Sequence, residues 1–87
     1  MVIFVKGNKL GYPRLGVSAG KRYGNAVKRN RARRIVREVF RTRLQDLLTP
    51  VDLVVLIRAK KGPLQFSTCL KELEHALKGY MAVAEAD

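Results

Sequence analysis

Arg29-Asn30-Arg31, followed by Arg33-Arg34 and Arg37, is the densest set of side chains in this chain that can hold an anion through directed hydrogen bonds. A guanidinium group grips phosphate with two parallel N–H donors and stacks on bases, whereas an ammonium acts as a point charge. Around this set arginine dominates: Arg29, Arg31, Arg33, Arg34, Arg37, Arg41 and Arg43 stand against Lys28 alone. Asn30 can donate and accept, which suits a base edge or a 2′-hydroxyl. Residues 21–43 hold ten of the eighteen basic residues and one acid, Glu38, and so carry +9 of the formal net charge of +11. One acid cannot neutralise that charge, so the segment calls for a polyanion, and phosphate backbones are the commonest kind.

Bond-breaking chemistry has no comparable set. The single histidine, His75, falls on the outer side of a helix pattern with no second His or Cys nearby, and Glu72 and Glu74 read as ordinary helix surface. No acid–base pair and no metal-ligand spacing is visible, and no cofactor is expected on the polypeptide. Residues 18–24, Ser-Ala-Gly-Lys-Arg-Tyr-Gly, approach a helix N-terminus, itself favourable for phosphate, but lack P-loop spacing. Cys69, with Leu70 and Leu73, reads as a small core residue.

These side chains need a scaffold. Residues 2–5 are a short β-prone run, and residues 14–19 place Leu15, Val17 and Ala19 on one strand face. The two read as an antiparallel hairpin with a loose loop. Asn25 is a good N-cap for a helix running to about Leu48, where Thr49-Pro50 stops it. Residues 51–57 form the strongest strand, whose near-continuous apolar run predicts a central position covered on both faces. After the Gly62-Pro63 turn, Ser67 or Thr68 caps a last helix reaching about Lys78, with Leu70, Leu73, Ala76 and Leu77 as its buried stripe. The order strand-strand-helix-strand-helix predicts one α+β domain, an α/β sandwich over residues 1–87 with a frayed tail from about residue 80.

At about 100° per residue, Ala32, Ile35, Val36, Val39, Phe40, Leu44 and Leu47 share the arc that packs on the sheet. Asn30, Arg31, Arg34, Arg37 and Arg41 lie opposite, with Glu38 placed to pair with Arg34. Arg29 and Arg33 fall on the azimuth of Phe40 and Leu44. Either they line a groove where the first turns pass beyond the sheet, or they snorkel over its edge.

Eighty-seven residues are near the size at which one core becomes marginal, so a partner that binds only the folded form would stabilise it. A single cysteine fits a reducing cytoplasm better than secretion. No apolar stretch approaches the roughly twenty residues that span a bilayer, and the N-terminal apolar run is too short for a signal peptide.

Residues 24–41, GNAVKRNRARRIVREVFR, closely resemble the signature of the protein component of bacterial ribonuclease P. The carrying residues are Gly24, Ala26-Val27, Arg29-Asn30-Arg31, Arg33-Arg34 and Arg37-Glu38. Residues 14–18, residues 51–58 and the leucines of the last helix match in order and type, so the likeness covers almost the whole chain. It implies a small α/β sandwich with a left-handed crossover, where sequence rules alone favour a right-handed one. It also implies that the basic helix binds the catalytic RNA subunit and that a cleft between sheet and helix receives the single-stranded 5′ leader of precursor tRNA. Hydrolysis then belongs to the RNA and its magnesium ions. Residue by residue, Arg29, Asn30, Arg31, Arg33, Arg34 and Arg37 match the RNA-binding helix, with Lys28 and Arg41 counted beside them. Lys21 and Arg22 match a basic pair that follows the strand, although Gly20 stands where the family usually has Ser. Phe4, with Arg29, Asn30 and Arg33, is the candidate set for the leader cleft. Family members usually begin with a further segment, roughly a helix and the start of a strand with cleft phenylalanines, and here the sequence opens at Met1-Val2-Ile3-Phe4-Val5. A truncated start and a minimal form with a more open cleft both fit, so RNA-subunit binding is the firmer expectation than leader recognition.

The alternative is a ribosomal or other structural RNA-binding protein, against which the Arg29-Asn30-Arg31 core with Arg33-Arg34 and Arg37-Glu38 discriminates. A DNA-binding helix is disfavoured by the β-strand context and the absence of a helix-turn-helix pattern. A protein-only nuclease lacks the residues for catalysis.

Overall fold

The computed structural model describes residues 1–46, 49–58 and 62–86, with side chains described through Tyr80. Strands β1 (Val2–Gly7), β2 (Arg14–Ala19) and β3 (Val51–Ile57) form one sheet, and helices α1 (Ala26–Val39) and α2 (Phe66–Ala86) pack on it. A 3₁₀ turn, Lys21–Tyr23, leads into α1, and a π-helical turn, Phe40–Leu44, follows it.

The expected hairpin does not form. The strand order is β1-β3-β2, with β1 antiparallel to β3 (Phe4 opposite Val54) and β2 parallel to it (Gly16 opposite Val54). β3 is the most apolar and β-branched of the three and takes the centre, while the half-polar β1 and β2 become its edges. The expectation that β3 is covered on both faces is also overturned. Val51, Leu53, Val55 and Ile57 are buried, but the alternate residue Val54 is 40% exposed. Both helices lie on the buried side, where Ala32, Val36, Val39, Phe40 and Leu44 meet Leu53, Val55, Cys69, Leu73 and Leu77. The other face of the sheet is open. A continuous apolar run does not by itself distinguish a strand covered twice from one covered once.

Asn25 caps α1 as expected, its Oδ1 accepting the Lys28 N–H at 2.9 Å. The single α-helix expected to about Leu48 instead changes to π geometry at Phe40, marked by the Gln45 N–H donating to the Phe40 carbonyl at 2.8 Å. Leu47 and Leu48 lie outside the described residues. α2 begins at Phe66, so Ser67 and Thr68 sit inside its first turn rather than capping it, and it continues to Ala86 instead of ending near Lys78. The tail expected to fray has only Gly79 as a breaker, a cost of about 1 kcal/mol relative to alanine, in an otherwise helix-prone run. Tyr80 also anchors it, since a Cβ on Gly7 would lie 2.9 Å from the Tyr80 hydroxyl.

At one end of the open face Asp52 ties three segments together. It accepts from Arg14 Nε at 2.8 Å and Nη2 at 2.7 Å, and from Asn8 Nδ2 at 2.9 Å. These hydrogen bonds, Arg14 first, hold the Asp52 carboxyl down to about 2 and raise the Arg14 pKa. A carboxyl lowered in the folded state adds stability above its unfolded pKa, and that stability is lost as pH falls through the folded value. The melting temperatures of wild type and Asp52→Asn should therefore differ at pH 5, converge as pH falls from about 4 to about 2, and coincide below. A constant difference across that range would exclude the charged form as the cause.

Candidate nucleic-acid interface

α1 sorts its residues as its periodicity demands. Ala32, Val36 and Val39 are buried, and Ile35 packs against the core from the edge. Asn30, Arg31, Arg34, Arg37 and Arg41 are exposed along the outer crest. Glu38 pairs with Arg41 at 2.9 Å rather than with Arg34, so the expected i, i+4 pair is replaced by an i, i+3 pair. Among the described residues this is the only ion pair on the helix, and Arg31, Arg34 and Arg37 have no acidic partner. The first turn holds no acid, so Lys28 and Arg29 stand beside the positive end of the helix dipole. That arrangement repels itself unless an anion approaches, and it gives the helix N-terminus a strong preference for phosphate.

Arg29 and Arg33 are half-buried on the flank that the wheel assigns to them. Arg33 Nη2 donates to Asn30 Oδ1. Arg29 Nε is buried and has no hydrogen-bond partner among the described residues. A buried N–H donor left unpaired is costly, which favours a flank that meets an acceptor over one that merely snorkels.

The open sheet face is a second surface. Its rows are Lys6–Asp52–Arg14, Phe4–Val54–Gly16 and Val2–Leu56–Ser18. Phe4 is 56% exposed, and Gly16 beyond Val54 has no side chain, so the middle row is a shallow apolar shelf. The face runs on to a hollow of about 570 Å³ lined by Ser18, Lys21, Arg22, Leu56 and Arg58. Here the carboxyl ends of the parallel strands β2 and β3 converge, a place where open sheets commonly receive ligands. Phe4 thus projects from the face turned away from α1. The cleft assembled in sequence from Phe4, Arg29, Asn30 and Arg33 is divided between two surfaces, sheet and helix.

Residues 1–81 match the sequence profile of the family described as Ribonuclease P. The chain belongs to the ribonuclease P protein family. It is 39% identical over 72 residues to the ribonuclease P protein component of Natranaerobius thermophilus, covering 83% of this chain and 63% of that protein. With the Syntrophus aciditrophicus component it shares 37% over 71 residues, 82% of this chain and 60% of the relative. The chain therefore spans about three-fifths of the length of these relatives. Among solved structures, the Staphylococcus aureus RNase P protein superposes with a TM-score of 0.72 at 32% identity, over 87% of this chain and 70% of that one. The Thermotoga maritima protein gives 0.69 at 28%, over 87% and 73%. The strand and helix arrangement is thus that of solved ribonuclease P proteins.

Against the family signature, Arg29-Asn30-Arg31 begins one turn inside a capped helix, and Lys21 and Arg22 sit in the 3₁₀ turn before it. Arg58 was passed over in sequence, although it immediately follows the central strand. Only the parallel pairing of β2 with β3 brings it beside Lys21 and Arg22. Tyr23 was likewise missed: its hydroxyl accepts the Leu64 N–H at 3.0 Å, joining the approach to α1 with the approach to α2.

Proposed function

We propose that this chain is a protein subunit of ribonuclease P that docks through α1 on the catalytic RNA and assists maturation of tRNA 5′ ends. The observation that carries this reading is the outer crest of α1, where Asn30, Arg31, Arg34 and Arg37 are exposed with no compensating acid on a helix bearing the family's signature. The open sheet face supports contact with the single-stranded 5′ leader of precursor tRNA: Phe4 and Val54 offer stacking and apolar surface, and Lys21, Arg22 and Arg58 offer phosphate contacts beyond them. Among the described residues no group of three His, Cys, Asp or Glu side chains is placed to hold a metal ion. In this reading the magnesium ions and the hydrolytic step belong to the partner RNA. On this reading the protein acts in the cytoplasm, the compartment that its single free cysteine, Cys69, fits.

Reconstitution with a bacterial ribonuclease P RNA at low magnesium tests the proposal: the protein should raise precursor cleavage, and no gain would overturn it. Single substitutions test the crest. Arg34→Ala should weaken RNA binding and make the salt dependence shallower by roughly one counterion-release unit. An unchanged slope would return Arg34 to the solvated surface.

A further inference from the structure

α1 has another flank, on the opposite side of its buried arc from Arg29 and Arg33. Lys28, Arg31, Ala32 and Ile35 share a stripe there, and between it and the turn of residues 62–64 lies a cavity of about 340 Å³. Tyr23, Ile35, Pro63 and Leu64 supply ring and aliphatic surface, and Lys28 and Arg31 stand at the rim. The walls are tied together, because the Tyr23 hydroxyl accepts the Leu64 N–H and Leu64 is itself buried in the core. Gly62, at a φ of 80°, adopts the left-handed conformation that lets the chain turn there. The rim cations are exposed, and no described hydrogen bond or ion pair engages either side chain.

An apolar slot with an aromatic wall and two cations at its mouth fits a flat ring system that carries a negative charge beside it. The volume lies at the low end of small-molecule pockets, about 300–1,000 Å³, so it suits one ring system rather than a chain segment. The slot opens beside the arginine crest, so an RNA lying on Arg31 and Arg34 passes its mouth. We propose that this cavity receives a single unstacked nucleotide of the RNA docked on α1, with its base against Tyr23 and Pro63 and its phosphate between Lys28 and Arg31. The proposal rests on the RNA-binding reading and adds selectivity to it. Bases inside an A-form duplex cannot enter, so the feature selected is a bulge, loop or strand end. The crest alone reads charge, whereas the slot reads whether a base is free.

Two experiments test it on the chain as it stands. Nucleoside monophosphates (AMP, GMP, CMP and UMP) titrated into the labelled protein should shift the resonances of Ala32, Ile35, Gly62 and Leu64 saturably. Inorganic phosphate that moved the same resonances equally would reduce the site to an anion contact and overturn the proposal. Binding to a bacterial ribonuclease P RNA gives the second readout. Tyr23→Ala should weaken it about tenfold with an unchanged salt slope, because stacking releases no counterions. Tyr23→Phe, which keeps the ring, should retain most of the affinity, and Lys28→Ala should lower the slope by roughly one. Thermal melts of each variant separate lost contact from lost fold, and the titration of the wild type does not depend on any variant folding. If the wild type does not bind the RNA, the RNA-binding reading falls. If the wild type binds and folded Tyr23→Ala binds equally well, the slot alone is excluded.

Discussion

Replacing Arg31, Arg34 and Arg37 together by alanine is expected to weaken binding to a bacterial ribonuclease P RNA by about a hundred- to a thousand-fold, at roughly 1 to 1.4 kcal/mol per exposed contact. The slope of log affinity against log salt should become shallower by about 2 to 3, since each lost phosphate contact removes just under one released counterion. The fold should survive, because all three side chains are exposed and none contributes to the core. Removing three like charges from one helix face should even raise the melting temperature of the free protein slightly. Filter binding at several salt concentrations and a thermal melt check both halves. Loss of affinity with the wild-type slope would place the RNA elsewhere on the molecule.

Leu53→Ala should act on the other half of the molecule. Leu53 is fully buried at the centre of the middle strand, with Ala32, Val36 and Val39 of α1 and Leu73 of α2 in the same core. Truncating such a leucine costs about 2–5 kcal/mol, against a whole-domain stability of roughly 4–13 kcal/mol for a chain of this length. The melting temperature should fall by about 10–30 °C, and part of the population should unfold at growth temperature. RNA bound at a hundred times its dissociation constant returns about 2.7 kcal/mol through linkage. The variant should therefore fail in isolation but recover much of its structure in the complex, a contrast that circular dichroism with and without RNA would register. A drop of only a few degrees would mean that β3 is not the element on which the core depends.

The helix that carries the family signature was legible because its signals are local. Asn25 caps within its own turn, and the spacing of Ala32, Val36 and Val39 needs no knowledge of what they pack against. The misplacement of Arg29 and Arg33 was legible for the same reason. Strand pairing was not. Val2 meets Leu56 and Arg14 meets Asp52 from far apart in the chain, and the sequence between β1 and β2 looks like a hairpin loop whether or not the strands pair. Whether a face is covered is likewise a property of the neighbours, so Val54 and Leu56 look as core-like in sequence as Val55 and Ile57. The hollow with Arg58 and the slot with Tyr23 and Leu64 each join segments far apart in the chain. Residue spacing has no access to such sites until the pairing is known.

The strand order has a consequence for how the chain acquires its structure. Neither β1 nor β2 has a strand partner until β3 arrives, and β3 lies beyond the entire basic helix. Long loops must close before the first sheet contact rewards them, which makes such a topology slow to fold for its size. During synthesis the arginine-rich segment emerges ahead of the strand that will organise its scaffold. The nascent chain therefore presents its charge before its shape. On the reading proposed above, a contact with nucleic acid at that stage would rest on charge, and discrimination would follow once β3 has paired with both β1 and β2.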